Sequence, residues 1–186
     1  MERKRESTRN LLGESFKELL KRGTFDKITI KMITDGAGVI RPTFYHYFQD
    51  KYEVMEWLLE EEIFGNVMEL AENGMEKEAI HVVFKKMEKD RLYYQKAFEV
   101  GGQNGFEEIL TKQVKRLAEG ILKNHDFSVD KYPGPVNRKV FVEFQALTVV
   151  GGLRHWIMDK EHNLSADEAM EFYVFLMSNS LLDIIK

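Results

Sequence analysis

Residues 29–51 read TIKMITDGAGVIRPTFYHYFQDK, and this stretch decides the fold. Isoleucines three residues apart share one face of a short helical pattern, and the Gly-Ala-Gly triplet that follows predicts a tight turn. The helical pattern then resumes, and Pro42 is compatible with a helix only in its first turn, where its missing amide would be unpaired in any case. The stretch therefore predicts two short helices, over about residues 30–36 and 40–47, joined by a glycine-containing turn.

A longer helix is predicted in front of this pair, over about residues 4–22. Its leucines and Phe16 recur at helical spacing, and Gly23 is placed to end it. Three helices, of which the second and third are joined by a short turn, are typical of the helix-turn-helix arrangement, whose later helix lies in the DNA major groove. The outward-facing side chains of that later helix are Arg41, Thr43, Tyr45 and His46. Such side chains suit base edges and phosphates better than water alone.

Charge is distributed unevenly along the chain, although the formal total is only -4. Residues 1–51 contain 11 Lys and Arg against 7 Asp and Glu, a net +4, whereas residues 52–186 contain 16 against 24, a net -8. A basic head on an acidic body indicates an anionic partner for the head. We therefore expect a helix-turn-helix DNA-binding domain at residues 1–51 and a separate helical domain at residues 52–186.

The stretch quoted above also resembles the N-terminal DNA-binding domain of the TetR family of transcriptional regulators. The likeness extends over about residues 8–60 when the preceding helix, with Gly23 and Phe25, is included. The resemblance implies direct or close DNA contacts at Arg41, Pro42, Thr43 and Tyr45, and phosphate contacts at Thr29, Tyr47 and Lys51. His46 is a further candidate because it lies in the same outward-facing row.

Two positions depart from the pattern of that family. Ile40 stands where the family usually has a serine or a similar capping residue, and Gly36 stands where it usually has an alanine. Loss of a helix cap costs about 1 kcal/mol, so we expect the later helix to be less firmly set. This lowers the expected affinity for DNA.

Long helical patterns with apolar faces fill the rest of the chain, and Asp50 is placed to cap the first of them. The further predicted helices lie at about 76–90, 92–101, 104–124, 137–159 and 165–185. In the TetR family the body binds a ligand and forms the dimer, so the resemblance implies that residues 52–186 are a helical ligand-binding and dimerisation domain. The last two helices are the expected dimer pair, with an interface at Phe144, Leu147, Val150, Leu153, Phe172, Phe175, Leu176, Asn179 and Leu182.

Aromatic residues, methionines and a few polar side chains in the body are suitable for lining a pocket for a small organic effector. They are equally suited to an ordinary helical core. The candidate pocket residues are Trp57, Met87, Tyr94, Phe98, Phe106, Phe141, Gln145, His155 and Trp156.

The segment Tyr93–Leu110, YYQKAFEVGGQNGFEEIL, is also similar to TetR-like regulators of dihydroxyacetone kinase operons in its aromatic and GQN pattern. Some of those regulators activate transcription. The sequence therefore leaves open whether this protein is a repressor or an activator.

Several classes of function are disfavoured by the composition. The chain has no cysteine, which excludes disulfides and thiolate chemistry and fits a cytoplasmic location. No apolar run approaches the roughly twenty residues that a membrane-spanning helix needs. The five histidines show no metal-ligand spacing, and no catalytic or phosphate-binding motif is present. We therefore expect no cofactor, no metal and no enzymatic activity.

The sequence thus predicts an all-α, homodimeric transcriptional regulator that binds palindromic operator DNA and is controlled by a small-molecule effector. The alternative is a sensor of the same shape that acts through a protein partner, with weak or no operator binding. Ile40 and the modest charge of the head favour that alternative.

Overall fold

The computed structural model describes residues 2–123 and 137–179, and no strand occurs within these ranges. The predicted all-α fold is confirmed. Backbone packing divides the chain into two compact units, and the functional division predicted between residues 51 and 52 stays a prediction. Unit 1 comprises Met1–Glu61 and Arg91–Ile109, and unit 2 comprises Glu62–Asp90 and Leu110–Lys186.

The helices follow the predicted ones closely, to within about three residues at the ends that the structure describes. Helix α10 ends at Ser178, and residues 180–185 of the helix predicted there lie outside the described part of the chain. In chain order the elements are α1 (Glu2–Arg22), a 3-10 turn (Phe25–Lys27), α2 (Ile30–Gly36), α3 (Arg41–Tyr47), α4 (Lys51–Leu59), a π-helical turn (Glu60–Phe64), α5 (Gly65–Glu72), α6 (Glu76–Lys89), α7 (Arg91–Phe98), α8 (Phe106–Lys123), α9 (Arg138–Met158) and α10 (Ala166–Ser178).

Helix α1 is the centre of unit 1, where it contacts α2, α4 and α7, and α2 in turn contacts α3. Leu12, Phe16 and Leu20 recur every four residues along α1 and are at most 1% exposed. Residues at this spacing share one face of a helix. One face of α1 therefore supplies the middle of the core on which the helix-turn-helix pair is held.

Helix α6 is the centre of unit 2, where it contacts α5, α9 and α10. Polar contacts fasten the start of α10 to α6. His81 Nε2 and Lys85 Nζ each lie 2.7 Å from a carboxylate oxygen of Asp167, and the amide of Ala166 donates to Glu88 Oε1 at 2.7 Å. These contacts fix where α10 begins beside α6.

Capping hydrogen bonds explain where several helices begin. The Asp50 carboxylate accepts amide hydrogen bonds of 2.8 and 2.9 Å at the start of α4, as predicted. The Thr29 hydroxyl accepts the amide of Met32 at 3.2 Å, so Thr29 caps the start of α2. Ile40 makes no side-chain capping bond at the start of α3, as expected for an apolar side chain.

The long helix predicted after Asp50 is not regular. Helix α4 ends at Leu59, and a π-helical turn over Glu60–Phe64 precedes α5. An extra residue within a helical turn rotates the side chains that follow it, and such turns are frequent at functional sites. Ile63 and Phe64 in this turn are both 0% exposed. The boundary between the two units falls inside the turn.

Candidate nucleic-acid interface and ligand cavity

Helix α3 presents a row of polar side chains on its solvent side. The exposed residues are Arg41, Pro42, Tyr45 and His46, with Thr43 half-buried. Phe44, on the opposite side of the helix, is 0% exposed, and its ring meets that of Tyr45 edge-on with 5.5 Å between the centroids. The buried Phe44 fixes the rotation of α3 about its axis, so that the polar row faces away from the core of unit 1.

Arg41 and Tyr45 form a pair within this row. Arg41 Nη2 donates to Tyr45 Oη at 3.0 Å, and the guanidinium carbon lies 5.5 Å from the centre of the tyrosine ring. Residues four apart are neighbours on a helix surface. The guanidinium has five N–H donors, of which this bond uses one, and its fork geometry matches paired acceptors on guanine or on a phosphate.

The turn between α2 and α3 has the predicted backbone. Gly38 has a φ of 68°, in the left-handed region that glycine adopts without steric cost. The amide of Val39 donates to the carbonyl of Thr34 at 3.0 Å and closes the turn. The turn therefore sets the direction in which α3 leaves α2.

Gly36 allows α2 to lie close to α1. A Cβ atom at this position would lie 2.3 Å from Ser15 Oγ. That hydroxyl donates to the carbonyl of Ile33 at 2.8 Å. The glycine, where the family usually has an alanine, is thus accounted for by the serine on α1 that occupies the space of a methyl group.

Lys51 is held by the backbone that precedes α2. Its ammonium donates to the carbonyls of Phe25 at 2.6 Å and Ile28 at 3.2 Å, and it lies 4.1 Å from the centre of the Phe25 ring. Burial lowers the pKa of Lys51, and the charge of Asp26 acts in the opposite direction. Two of its three donors are used in these bonds, so a phosphate contact would use the third. That contact stays a prediction.

Thr29 and Tyr47 complete the predicted phosphate contacts. Thr29 is exposed at the start of α2, while Tyr47 is half-buried and meets the His46 ring edge-on at 5.0 Å. The structure places all eight predicted DNA-contacting residues in unit 1, at the starts of α2 and α4 and along α3. Their contacts with DNA stay predictions.

Trp57, predicted as a pocket residue, lies in unit 1 and holds α1 against α4. The guanidinium of Arg9 lies 4.9 Å from the Trp57 ring and 5.3 Å from the Phe48 ring. A Cβ at Gly13 would lie 2.5 Å from the same indole. Trp57 thus has a packing role here.

Unit 2 contains an apolar cavity of about 290 Å³. Helix α9 contributes four residues at a spacing of four, which therefore share one face of the helix. The only polar lining residues in the described part of the chain are Gln145 and Tyr173. The full lining is Phe64, Ile80, Val83, Phe84, Val114, Leu117, Ala118, Ile121, Leu122, Phe141, Gln145, Val149, Leu153 and Tyr173.

Of the nine predicted pocket residues, Phe141 and Gln145 line this cavity. Met87 and Trp156 are buried in unit 2 but are not part of the lining, and His155 is exposed. The Trp156 indole donates to the carbonyl of Leu164 at 2.9 Å. The sequence interpretation missed the lining residues on α6, α8 and α10. On α9 it missed Val149 and Leu153, although their four-residue spacing from Gln145 was available as a signal.

The other three predicted pocket residues form an aromatic cluster in unit 1. Phe106 contacts the rings of Tyr94 and Phe98, with centroid distances of 5.9 and 4.9 Å. All three side chains are at most 6% exposed. They make a local core that joins α7 to the start of α8.

The faces of α9 and α10 that point away from the unit 2 core are also apolar. The exposed members of the predicted dimer interface are Phe144, Leu147, Phe172, Phe175 and Leu176, which are 44 to 68% exposed. Val150 and Leu153 instead lie in the core of unit 2, at 2% and 1% exposure. The Asn179 side chain donates to the carbonyl of Phe175 at 2.8 Å, and Leu182 lies outside the described residues.

The described residues form neither a candidate metal site nor a membrane-spanning helix. Residues 2–123 and 137–179 contain no group of three or more His, Asp or Glu that could hold a metal ion. Within the same ranges, every helix is too short or too polar to span a bilayer.

An all-α chain with a helix-turn-helix head and a separate helical body has the architecture of a bacterial transcriptional regulator. The family description "Bacterial regulatory proteins, tetR family" matches residues 16–58, and "Transcriptional regulator C-terminal region" matches residues 76–184, more than half of the chain. The chain belongs to the TetR family of transcriptional regulators, which confirms the resemblance found in the sequence.

The chain is also similar to two proteins that are named as operon activators. The HTH-type dhaKLM operon transcriptional activator DhaS of Lactococcus lactis subsp. lactis (strain IL1403) is 19% identical over 151 residues, 81% of this chain and 80% of that protein. The solved structure of a dihydroxyacetone kinase operon activator DhaS matches at a TM-score of 0.63 and 20% identity, over 92% of this chain and 94% of that one. At this identity the structural likeness concerns the fold.

Proposed function

We propose that this TetR-family regulator binds palindromic operator DNA as a homodimer and that a small organic effector in unit 2 controls the binding. The observation that carries the proposal is the exposed Arg41–Tyr45 pair on α3, directly after the turn at Gly38. The family match over residues 16–58 supports the same assignment for the head.

In this proposal α3 reads the base sequence of the operator DNA. Arg41 and Tyr45 are ordered on each other before DNA arrives, so less side-chain freedom is lost on binding. The fork of Arg41 suits the O6 and N7 acceptors of guanine, and the Thr43 and Tyr45 hydroxyls suit other base edges or phosphates. Thr29, Tyr47 and Lys51 fix the register on the backbone.

Dimerisation uses the exposed apolar faces of α9 and α10. Phe144 and Leu147 on α9 are 68% and 63% exposed, and Phe172 on α10 is 55% exposed. Exposed apolar side chains that share a face of a helix, as Phe144 and Leu147 do, are typical of a protein interface. A twofold dimer carries two α3 helices, which read the two halves of a palindrome about one helical turn apart.

In this proposal the effector acts by shifting the equilibrium between two conformational states of the dimer. A ligand that binds one state of the dimer more tightly by about 1 to 3 kcal/mol changes the affinity for operator DNA about 5- to 150-fold. The apolar cavity in unit 2 is where we place that ligand. The two DhaS proteins are named as activators, which favours testing for activation as well as repression.

The test is a fluorescence-anisotropy titration of the purified chain against the DNA upstream of its own gene and a scrambled control, at two salt concentrations. Saturable binding that prefers the upstream DNA and weakens with salt is expected. Arg41→Ala should abolish the preference, whereas Arg116→Ala, which removes an exposed arginine from α8, should leave it unchanged. Equal and weak binding to both DNAs would contradict operator recognition and favour a protein partner as the output.

A further inference from the structure

We propose that the cavity of unit 2 takes a neutral, mostly apolar organic molecule that carries one hydrogen-bonding oxygen. This inference rests on the regulatory function proposed above and names the chemical class of its effector. Size, charge and hydrogen bonding in the wall each lead to it.

The size of the cavity limits the ligand. Its volume is about 290 Å³, roughly twice that of a 150 Å³ apolar protein cavity that binds benzene. On that scale the occupant has on the order of 10 to 15 non-hydrogen atoms. A fused two-ring aromatic molecule or an aliphatic chain of medium length meets this limit.

The wall excludes charged and highly polar ligands. Among the described residues that line the cavity, none carries a charge, and all but Gln145 and Tyr173 are apolar. An unpaired carboxylate or ammonium group loses its hydration there without a counter-charge. A small polyol loses hydrogen bonds to water on most of its hydroxyls for the same reason. The ligand is therefore neutral and has few polar atoms.

The two polar lining residues provide the hydrogen bonds. Gln145 on α9 has both donors and an acceptor, and Tyr173 on α10 has a phenol. In the described part of the chain, neither side chain has a hydrogen-bond partner. Burial raises the pKa of the Tyr173 hydroxyl, so it stays protonated at neutral pH and can donate. A hydroxyl or carbonyl oxygen on the ligand satisfies them.

The fluorescence of Trp156 should report whether the cavity is occupied. The lining residue Phe84 has its ring 5.1 Å from that of Trp156 and 6.0 Å from that of Tyr173. A ligand that displaces Phe84 changes the surroundings of the Trp156 indole. The only other tryptophan of the chain, Trp57, belongs to unit 1.

The proposal is tested on the purified full-length chain by calorimetry and tryptophan fluorescence. The probes are β-naphthol, the similarly shaped anion β-naphthoate, and glycerol, all at neutral pH. We expect saturable binding of one β-naphthol per chain, at least about tenfold weaker binding of β-naphthoate, and none of glycerol. No saturable binding of β-naphthol, or tighter binding of β-naphthoate, overturns the proposal.

Three variants locate the binding. Val149→Phe fills the cavity and should abolish β-naphthol binding, and Gln145→Leu should weaken it about three- to tenfold through the loss of one hydrogen bond. Gln113→Leu makes the same change at a buried glutamine of α8 outside the lining and should leave binding unchanged. Circular dichroism checks that each variant is folded. If β-naphthol binding is the same in Gln145→Leu and Gln113→Leu, the assignment of the site is wrong.

A separate operator titration distinguishes this proposal from the proposed function. Operator binding without β-naphthol binding overturns the ligand class and leaves the regulator intact. Binding of β-naphthol without operator preference supports the ligand class and contradicts operator recognition.

Discussion

The guanidinium of Arg41 donates to the hydroxyl of Tyr45 at 3.0 Å, one turn further along α3. Tyr45→Phe keeps the ring against Phe44 and removes only this acceptor. We expect operator affinity to fall about three- to tenfold. The guanidinium loses the hydroxyl that orders it, and position 45 no longer has a hydroxyl that could contact DNA. Anisotropy titration measures the affinity, and a thermal melt should show unchanged stability. A variant that binds as tightly as the wild type would contradict a role for the pair.

The close approach of Gly36 to Ser15 makes a prediction about stability. Gly36→Ala places a methyl group 2.3 Å from Ser15 Oγ, so the hydroxyl must move and lose its bond to the carbonyl of Ile33. We expect a loss of about 1 to 3 kcal/mol in the free energy of unfolding, measured in urea.

Two controls separate this contact from a general effect of alanine. Ser15→Ala removes the obstructing oxygen, so Gly36→Ala should cost less in that background than in the wild type. Gly152→Ala, in α9, meets nothing within 4 Å and should stabilise its helix by about 0.5 to 1 kcal/mol. Equal costs of Gly36→Ala in both backgrounds would show that the contact does not matter.

The helix-turn-helix unit could be predicted from sequence because its determinants are local. The cap at Thr29, the left-handed turn at Gly38 and the first-turn position of Pro42 each constrain the backbone within a few residues. The family likeness added the expected DNA-contacting role of the outward-facing row, and local residues fixed which way that row points.

The cavity could not be predicted in the same way. Its wall is assembled from residues between Phe64 and Tyr173 that come together only through the packing of several helices. An aromatic residue of the body has the same local signal whether it lines the cavity, as Phe141 does, or fills a core, as Tyr94 does. The π-helical turn before α5 also left no periodic signal, since the apolar pattern continues through it.

Replacing Ile40 with a capping residue should stabilise the start of α3. It is 70% exposed and caps α3 with extended backbone angles, but its side chain accepts no hydrogen bond. The amide of Thr43 donates to the carbonyl of Ile40 at 2.9 Å. A serine hydroxyl at position 40 can share this amide, since Pro42 has no amide to give. We expect Ile40→Ser to stabilise the protein by about 0.5 to 1 kcal/mol, measured in urea, and to tighten operator binding. Ile40→Ala, which lacks the hydroxyl, is the control, and equal effects of the two would refute the capping argument.

The contacts of Asp167 predict an acid-sensitive link between α6 and α10. Hydrogen bonds from Lys85 and then His81 hold the pKa of Asp167 below its ordinary value of 3.8. Such a carboxylate stabilises the fold fully above 3.8, and the contribution is lost as pH falls through the lowered pKa.

The Asp167→Asn variant should therefore have a lower free energy of unfolding than the wild type at neutral pH. Below pH 3.8 its free energy of unfolding should change less with pH than that of the wild type. Urea midpoints recorded across the acid range measure the difference. Glu171→Gln, which neutralises another exposed carboxylate on α10, should retain the acid sensitivity of the wild type. Parallel curves for the wild type and Asp167→Asn would rule out this link.

The exposed face of α9 predicts the oligomeric state. Leu147 is 63% exposed, and burying a glutamate at its position in an interface would leave an unpaired charge. In the proposed homodimer, Leu147→Glu should leave a folded monomer and abolish high-affinity operator binding, since one α3 reads only half of a palindrome. Leu92→Glu makes the same change at a leucine of unit 1 that is 51% exposed, and it should remain dimeric. Sedimentation equilibrium distinguishes the two, and a Leu147→Glu protein that is as dimeric as Leu92→Glu would place the interface elsewhere.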